Sequence, residues 1–126
     1  MIRMDDDLIA CDYSEAIQRV GGDIALLSQV MALFLDEMPK MMAAIRKYAT
    51  DKNSRLLWNE CHKMKGASSH FGAAEMVHIL EQIEASAKVE DFPAVINFMD
   101  TLSKASIRFK ECVSRWHNDP GNTVIL

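Results

Sequence analysis

The residues of this chain best suited to chemistry lie in the run Cys61-His62-Lys63-Met64-Lys65-Gly66-Ala67-Ser68-Ser69-His70-Phe71-Gly72. On a helix, positions three, four and seven apart share a face. Leu57, Cys61, Met64, Ser68 and Phe71 step by four and three and form an apolar seam. His62, Lys65, Gly66 and Ser69 form a neighbouring stripe, largely exposed if the seam is buried. An exposed imidazole is mostly neutral at physiological pH and keeps a lone pair that can attack phosphorus. Lys65, one turn on, is placed to pair with the oxygens of a phosphoryl group carried by His62. Gly66 costs a helix interior about 1 kcal/mol relative to alanine, which suggests that another body comes close to the backbone there. Taken singly, a surface histidine, a lysine three residues on and an internal glycine are each commonplace. Their joint occurrence on one stripe is the signal.

The elements that must position this stripe are helical. Asp12 to Ile17 reads as a short first helix stopped by Gly21-Gly22. Asp23 caps a second, with Ile24, Leu27, Val30, Met31, Phe34 and Met38 on its apolar face. Pro39 predicts a kink or a fresh start, with Met42, Ile45 and Tyr48 continuing the face. Asp51 to Ser54 is a turn and cap, and the helix with the chemical stripe follows and frays near Gly72. Met76, Val77, Leu80, Ile83 and Ala87 mark the next helix. Glu90-Asp91 turns the chain, and Pro93 sits harmlessly in the first turn of a last helix. Its face carries Ile96, Met99, Leu102, Ser106, Phe109, Val113 and Trp116. Four long helices with short turns predict an all-α, antiparallel up-down-up-down four-helix bundle, with the short N-terminal helix packed across one end. The expected division is an N-terminal extension over 1–10, the bundle over 11–117 and a flexible tail over 118–126.

At 126 residues the chain suits one domain that buries roughly two-thirds of its unfolded surface. Hydrophobic residues make up 49% and charged ones 25%, ordinary for a globular protein. A net charge of −4, with no basic block and few aromatics, argues against nucleic acid. No run has the length of a membrane span or a signal peptide core. Three cysteines, Cys11, Cys61 and Cys112, stand far apart and read as reduced thiols of a cytoplasmic protein. Cys61 belongs to the seam and is not a nucleophile there. The nine methionines read mostly as core fillers.

The string from His62 to Ala73 closely resembles the active-site motif of histidine-containing phosphotransfer (HPt) domains: His, any residue, Leu or Met, Lys, Gly, four variable residues, an apolar residue, then Gly. Val20-Gly21-Gly22-Asp23, Leu27 and Phe34-Leu35-Asp36-Glu37 extend the likeness, which covers about residues 10 to 116. The resemblance implies a phosphorelay intermediate. It would accept a phosphoryl group from the aspartyl phosphate of one response-regulator receiver domain, one of them in a hybrid sensor kinase, and pass it to an aspartate of another. It further implies Nε2 of His62 as acceptor, Lys65 as stabiliser of the phosphohistidine and Gly66 as room for the partner. Mg²⁺ is expected on the receiver, with no cofactor of the chain's own.

Where the family often has a glutamine bonding the imidazole's other nitrogen, this chain has Glu84. A carboxylate can accept that bond but also repels phosphate. Lys88, one turn on, stands where the family often has a second basic residue, and Ser69 belongs to the same supporting group. His70 lies eight residues beyond His62, about 80° around the helix, on the flank of the stripe. Trp58, Lys63, His70 and Ile17 are candidate docking residues, with partial burial the competing reading for Trp58.

Neither a phosphate-binding G-x-x-x-x-G-K-[ST] loop nor a kinase-type glycine-rich pair is present, so self-phosphorylation from ATP is not expected. Two other readings remain. One is a receiver-binding adaptor that carries no phosphate, against which the intact His62 and Lys65 stand. The other is a metal-binding bundle suggested by the Glu75-x-x-His78 spacing, which lacks the second copy such sites need. A lone transfer domain with one active face is most simply a monomer.

Overall fold

The computed structural model describes residues 8–118; all but the first residue of the expected flexible tail and most of the expected N-terminal extension lie outside them. Among the described residues there are five α-helices and a closing 3₁₀ turn: α1 (Tyr13–Arg19), α2 (Ile24–Thr50), α3 (Ser54–Ser69), α4 (Ala74–Lys88), α5 (Phe92–Ser114) and the turn Arg115–Asn118. No strand occurs among the described residues. The boundaries follow from local chemistry. The carboxylates of Asp12, Asp23 and Asp91 and the amide oxygen of Asn53 each accept from a backbone N–H in the first turn of α1, α2, α5 and α3. Gly21 and Gly22, at φ +65° and +83°, turn the chain between α1 and α2.

Each helix packs on the next in sequence, and α5 also closes onto α2. Leu57, Cys61, Met64, Ser68 and Phe71 are buried, as the seam spacing predicts. They meet Leu27, Met31, Phe34 and Met38 of α2, Met76, Leu80 and Ile83 of α4, and Met99, Leu102 and Phe109 of α5 in one core. At one end of the bundle Phe34 stacks on Phe71 with ring centroids 5.2 Å apart and meets Phe109 edge-on at 5.5 Å. Three elements are thereby interlocked just beyond the last turn of α3.

Several expectations need correction. Helix α2 runs unbroken through Pro39, with no fresh start, because the proline is exposed and gives up only one intrahelical bond. The apolar phase is therefore carried through unshifted. Met41, Ile45 and Ala49 are buried, while Met42 and Tyr48 are only half-buried. Likewise Val95 and Ile79 are core residues, whereas Ile24 and Ile96 are exposed.

The cysteines differ most from expectation. Cys11 and Cys112 are joined in a disulfide across 101 residues of sequence, with Cα atoms 6.1 Å apart. Separation along the chain had concealed their closeness in space. The segment before α1 crosses the end of the bundle, where Asp12 N–H donates to Phe71 O and Glu75 N–H donates to Ile9 O. That course carries Cys11 to the last turns of α5. Only Cys61 is a free thiol.

Candidate functional site

Helix α3 fixes the site because its buried seam decides which side faces out. His62, Lys63 and Gly66 are exposed, and Lys65 is partly covered. Opposite His62, one turn before the end of α4, stands Glu84. Its side chain is only 8% exposed, although the position falls on the flank of the apolar face of α4.

Glu84 joins the two chemical residues. Its Oε2 lies 3.2 Å from Nδ1 of His62, and its Oε1 lies 2.9 Å from Nζ of Lys65. A carboxylate can only accept, so this contact selects the imidazole tautomer with the proton on Nδ1. Nε2 then carries the lone pair, and it makes no hydrogen bond among the described residues. The lysine offsets the carboxylate's charge, but Oε1 receives no well-aligned hydrogen bond among the described residues. Charge compensation at this nearly buried acid therefore comes from Lys65. Lys88 is exposed on the last turn of α4 and forms no ion pair with Glu84.

Trp58, one turn before His62, is half-buried and packs against the core. Its indole stacks on the imidazole with centroids 4.7 Å apart and planes within 10° of parallel. Four residues' spacing on a helix permits such a contact, but the rotamers that realise it are not written in the sequence. Glu84, in turn, was legible only through family resemblance, since no periodicity aims α4 at α3.

The remaining candidates disperse. Ser69 donates its hydroxyl to Gly66 O at 2.7 Å and serves the helix end, away from the imidazole. Lys63 pairs with Glu60 at 3.7 Å. His70 is the exposed C-terminal cap residue of α3. Ile17 is half-buried against the core. Its neighbours on α1, Ala16 and Val20, instead line an apolar groove of about 410 Å³ with Leu27, Val30, Phe34 and His70. Sequence reasoning missed this groove, whose walls come from three helices.

Two glycines of the motif have different reasons to be there. A Cβ on Gly66 would meet nothing within 4 Å, so nothing inside the chain demands glycine. At Gly72, φ is +61° and a Cβ would fall 2.5 Å from that of Asp12. The first glycine leaves space open to the outside; the second admits the chain's own N-terminal segment.

The seam cysteine is chemically quiet. Burial, reinforced by the nearby carboxylates of Glu84 and Glu60, pushes the Cys61 thiol up to about 12. The Glu75-x-x-His78 pair is also accounted for: the Arg108 guanidinium grips the Glu75 carboxylate with contacts of 2.9–3.1 Å. No cluster of three or more His, Cys, Asp or Glu residues suited to a metal occurs among the described residues.

Comparisons with known proteins give a family and a fold. The family described as the Hpt domain matches residues 29–118. Among solved structures, the chain is similar to the HPT domain from a sensor hybrid histidine kinase of Shewanella, with a TM-score of 0.67 and 22% identity. That likeness covers 86% of this chain and 97% of the other. No curated protein matches the sequence.

Proposed function

Because the chain belongs to the Hpt domain family, whose members act in phosphotransfer within multistep phosphorelays, we propose that it carries a phosphoryl group on His62 between two receiver domains. The observation that best supports this reading is the imidazole itself. Nδ1 is held by Glu84, Nε2 is unencumbered, and the adjoining turn is left open by Gly66.

In this reading the Nε2 lone pair attacks the phosphorus of a receiver's aspartyl phosphate. The P–O bond breaks, and its electron pair stays on the aspartate carboxylate. The proton on Nδ1 remains there, facing Glu84. For onward transfer, a carboxylate oxygen of a second receiver attacks phosphorus and the P–N bond returns its electrons to Nε2. Lys65 exchanges Glu84 for the phosphoryl oxygens during the interval. Mg²⁺ belongs to the receiver, and this chain supplies an oriented nucleophile and a docking face.

That face extends from His62 and Gly66 past His70 to the apolar groove between α1 and α2, which offers a receiver surface to bury. The four long helices are read as an antiparallel up-down-up-down bundle. The protein acts as a monomer in the cytoplasm, where receivers reside.

The test is to mix the protein with a receiver phosphorylated by a small phosphodonor and look for acid-labile, base-stable label. Wild type takes label and His62→Gln takes none. No label on wild type would refute transfer and leave a docking adaptor; label on His62→Gln would refute the assignment of the acceptor.

A further inference from the structure

An imidazole with more than half of its side chain exposed and one hydrogen bond of 3.2 Å is poorly fixed. Rotation about the bond to the ring is soft and roughly two-fold, and a half-turn exchanges the places of the ring's nitrogen and carbon edges. A single contact to Glu84 restrains one edge of the ring but leaves its tilt free. The second restraint is the indole of Trp58, stacked at 4.7 Å between centroids and within 10° of parallel.

We propose that Trp58 is a positioning residue for His62, clamping the imidazole plane so that, with Nδ1 on Glu84, Nε2 is held toward the incoming phosphorus. The inference rests on the phosphotransfer reading above. The indole is well anchored for this task. It is half-buried, packs on the core, and lines a shallow cleft with Ala87 and Lys88 of α4. Burial explains why a large apolar residue stands at 58. Burial does not explain the parallel alignment with the reactive ring.

The stack also suits the charge that develops. Once Nε2 is phosphorylated while Nδ1 keeps its proton, the ring carries positive charge, which an indole face favours. Glu84 meets the Nδ1 edge of the imidazole from α4 and is itself paired with Lys65 of α3, and the indole covers the ring's flat side. The three together leave Nε2 as the open edge.

The experiment compares wild type with Trp58→Phe and Trp58→Leu. In wild type, nuclear Overhauser contacts join the two rings and the indole ring current shifts the His62 ring protons upfield. The shift is lost in Trp58→Leu and partly kept in Trp58→Phe. At saturating phosphorylated receiver, Trp58→Leu lowers the maximal transfer rate about 3- to 10-fold, the range expected for a lost ring–cation contact, and Trp58→Phe recovers most of it. Absence of ring contacts in wild type would overturn the clamp without any variant having to fold. An unchanged maximal rate would overturn it too. A loss confined to the receiver concentration needed for half-saturation would make Trp58 a docking residue instead. The magnetic resonance measurement needs no phosphoryl group, so the stack is tested even if the protein transfers none.

Discussion

Lys65 Nζ lies 2.9 Å from Glu84 Oε1, so the lysine one turn beyond His62 is already engaged by the carboxylate that also meets the imidazole. In the proposed transfer the lysine must change partners to stabilise phosphohistidine. Glu84→Gln keeps an acceptor for Nδ1 and frees the lysine. The expected result is a shift of the phosphoryl equilibrium toward His62 by about 3- to 10-fold, equivalent to roughly 1 kcal/mol. Glu84→Ala removes the acceptor as well and slows acceptance. Both are read by quantifying label on receiver and transfer protein at equilibrium and over time.

Gly66→Ala separates stability from function. Alanine fits without a clash, and its helix propensity raises stability by up to about 1 kcal/mol, seen as a higher denaturant midpoint. Transfer falls at the same time, chiefly through weaker docking, because the methyl group occupies space kept for the partner. A variant that is both more stable and fully active would refute the close-approach role.

Reduction of the Cys11–Cys112 disulfide releases the segment before α1 from the end of α5. Closing so long a loop typically contributes about 2–4 kcal/mol, so dithiothreitol or Cys112→Ser lowers the melting temperature. Helices α3 and α4 keep their own packing, and the label on His62 persists in the reduced protein. Differential alkylation followed by mass spectrometry reports the pairing directly.

Cys61 gives a pH signature. Its native thiol keeps its proton up to about 12, whereas the unfolded thiol releases it near 9.0. Between those values the native state binds more protons than the unfolded chain, so stability falls as pH rises through that window. Cys61→Ala makes the decline in denaturant midpoint shallower. In the native wild type at pH 8, iodoacetamide leaves Cys61 unmodified until the chain unfolds.

What the sequence made legible was whatever one helix determines alone. The seam from Leu57 to Phe71 and the exposure of His62 and Gly66 follow from spacing, and the cap at Asp23 from residue type. The contacts that complete the site cross between helices or depend on rotamers. Glu84 reaching both His62 and Lys65 requires the rotation of α4 against α3, and the Trp58 stack requires two side-chain torsions. Pro39 starts no new helix because an exposed proline in a long, well-packed helix loses one bond where a shorter helix would end. The pairing of Cys11 with Cys112 was hidden for the opposite reason: it depends on where an irregular segment runs.

That irregular segment makes the domain topologically a ring. With Cys11 and Cys112 at 6.1 Å between Cα atoms, the segment before α1 and the last turn of α5 adjoin. A unit with adjoining ends can be spliced into a loop of a host protein while barely changing the spacing of that loop. It can also be circularly permuted, with new termini cut at Lys52 or Glu90, two turn residues of positive φ that no helix needs to keep continuous.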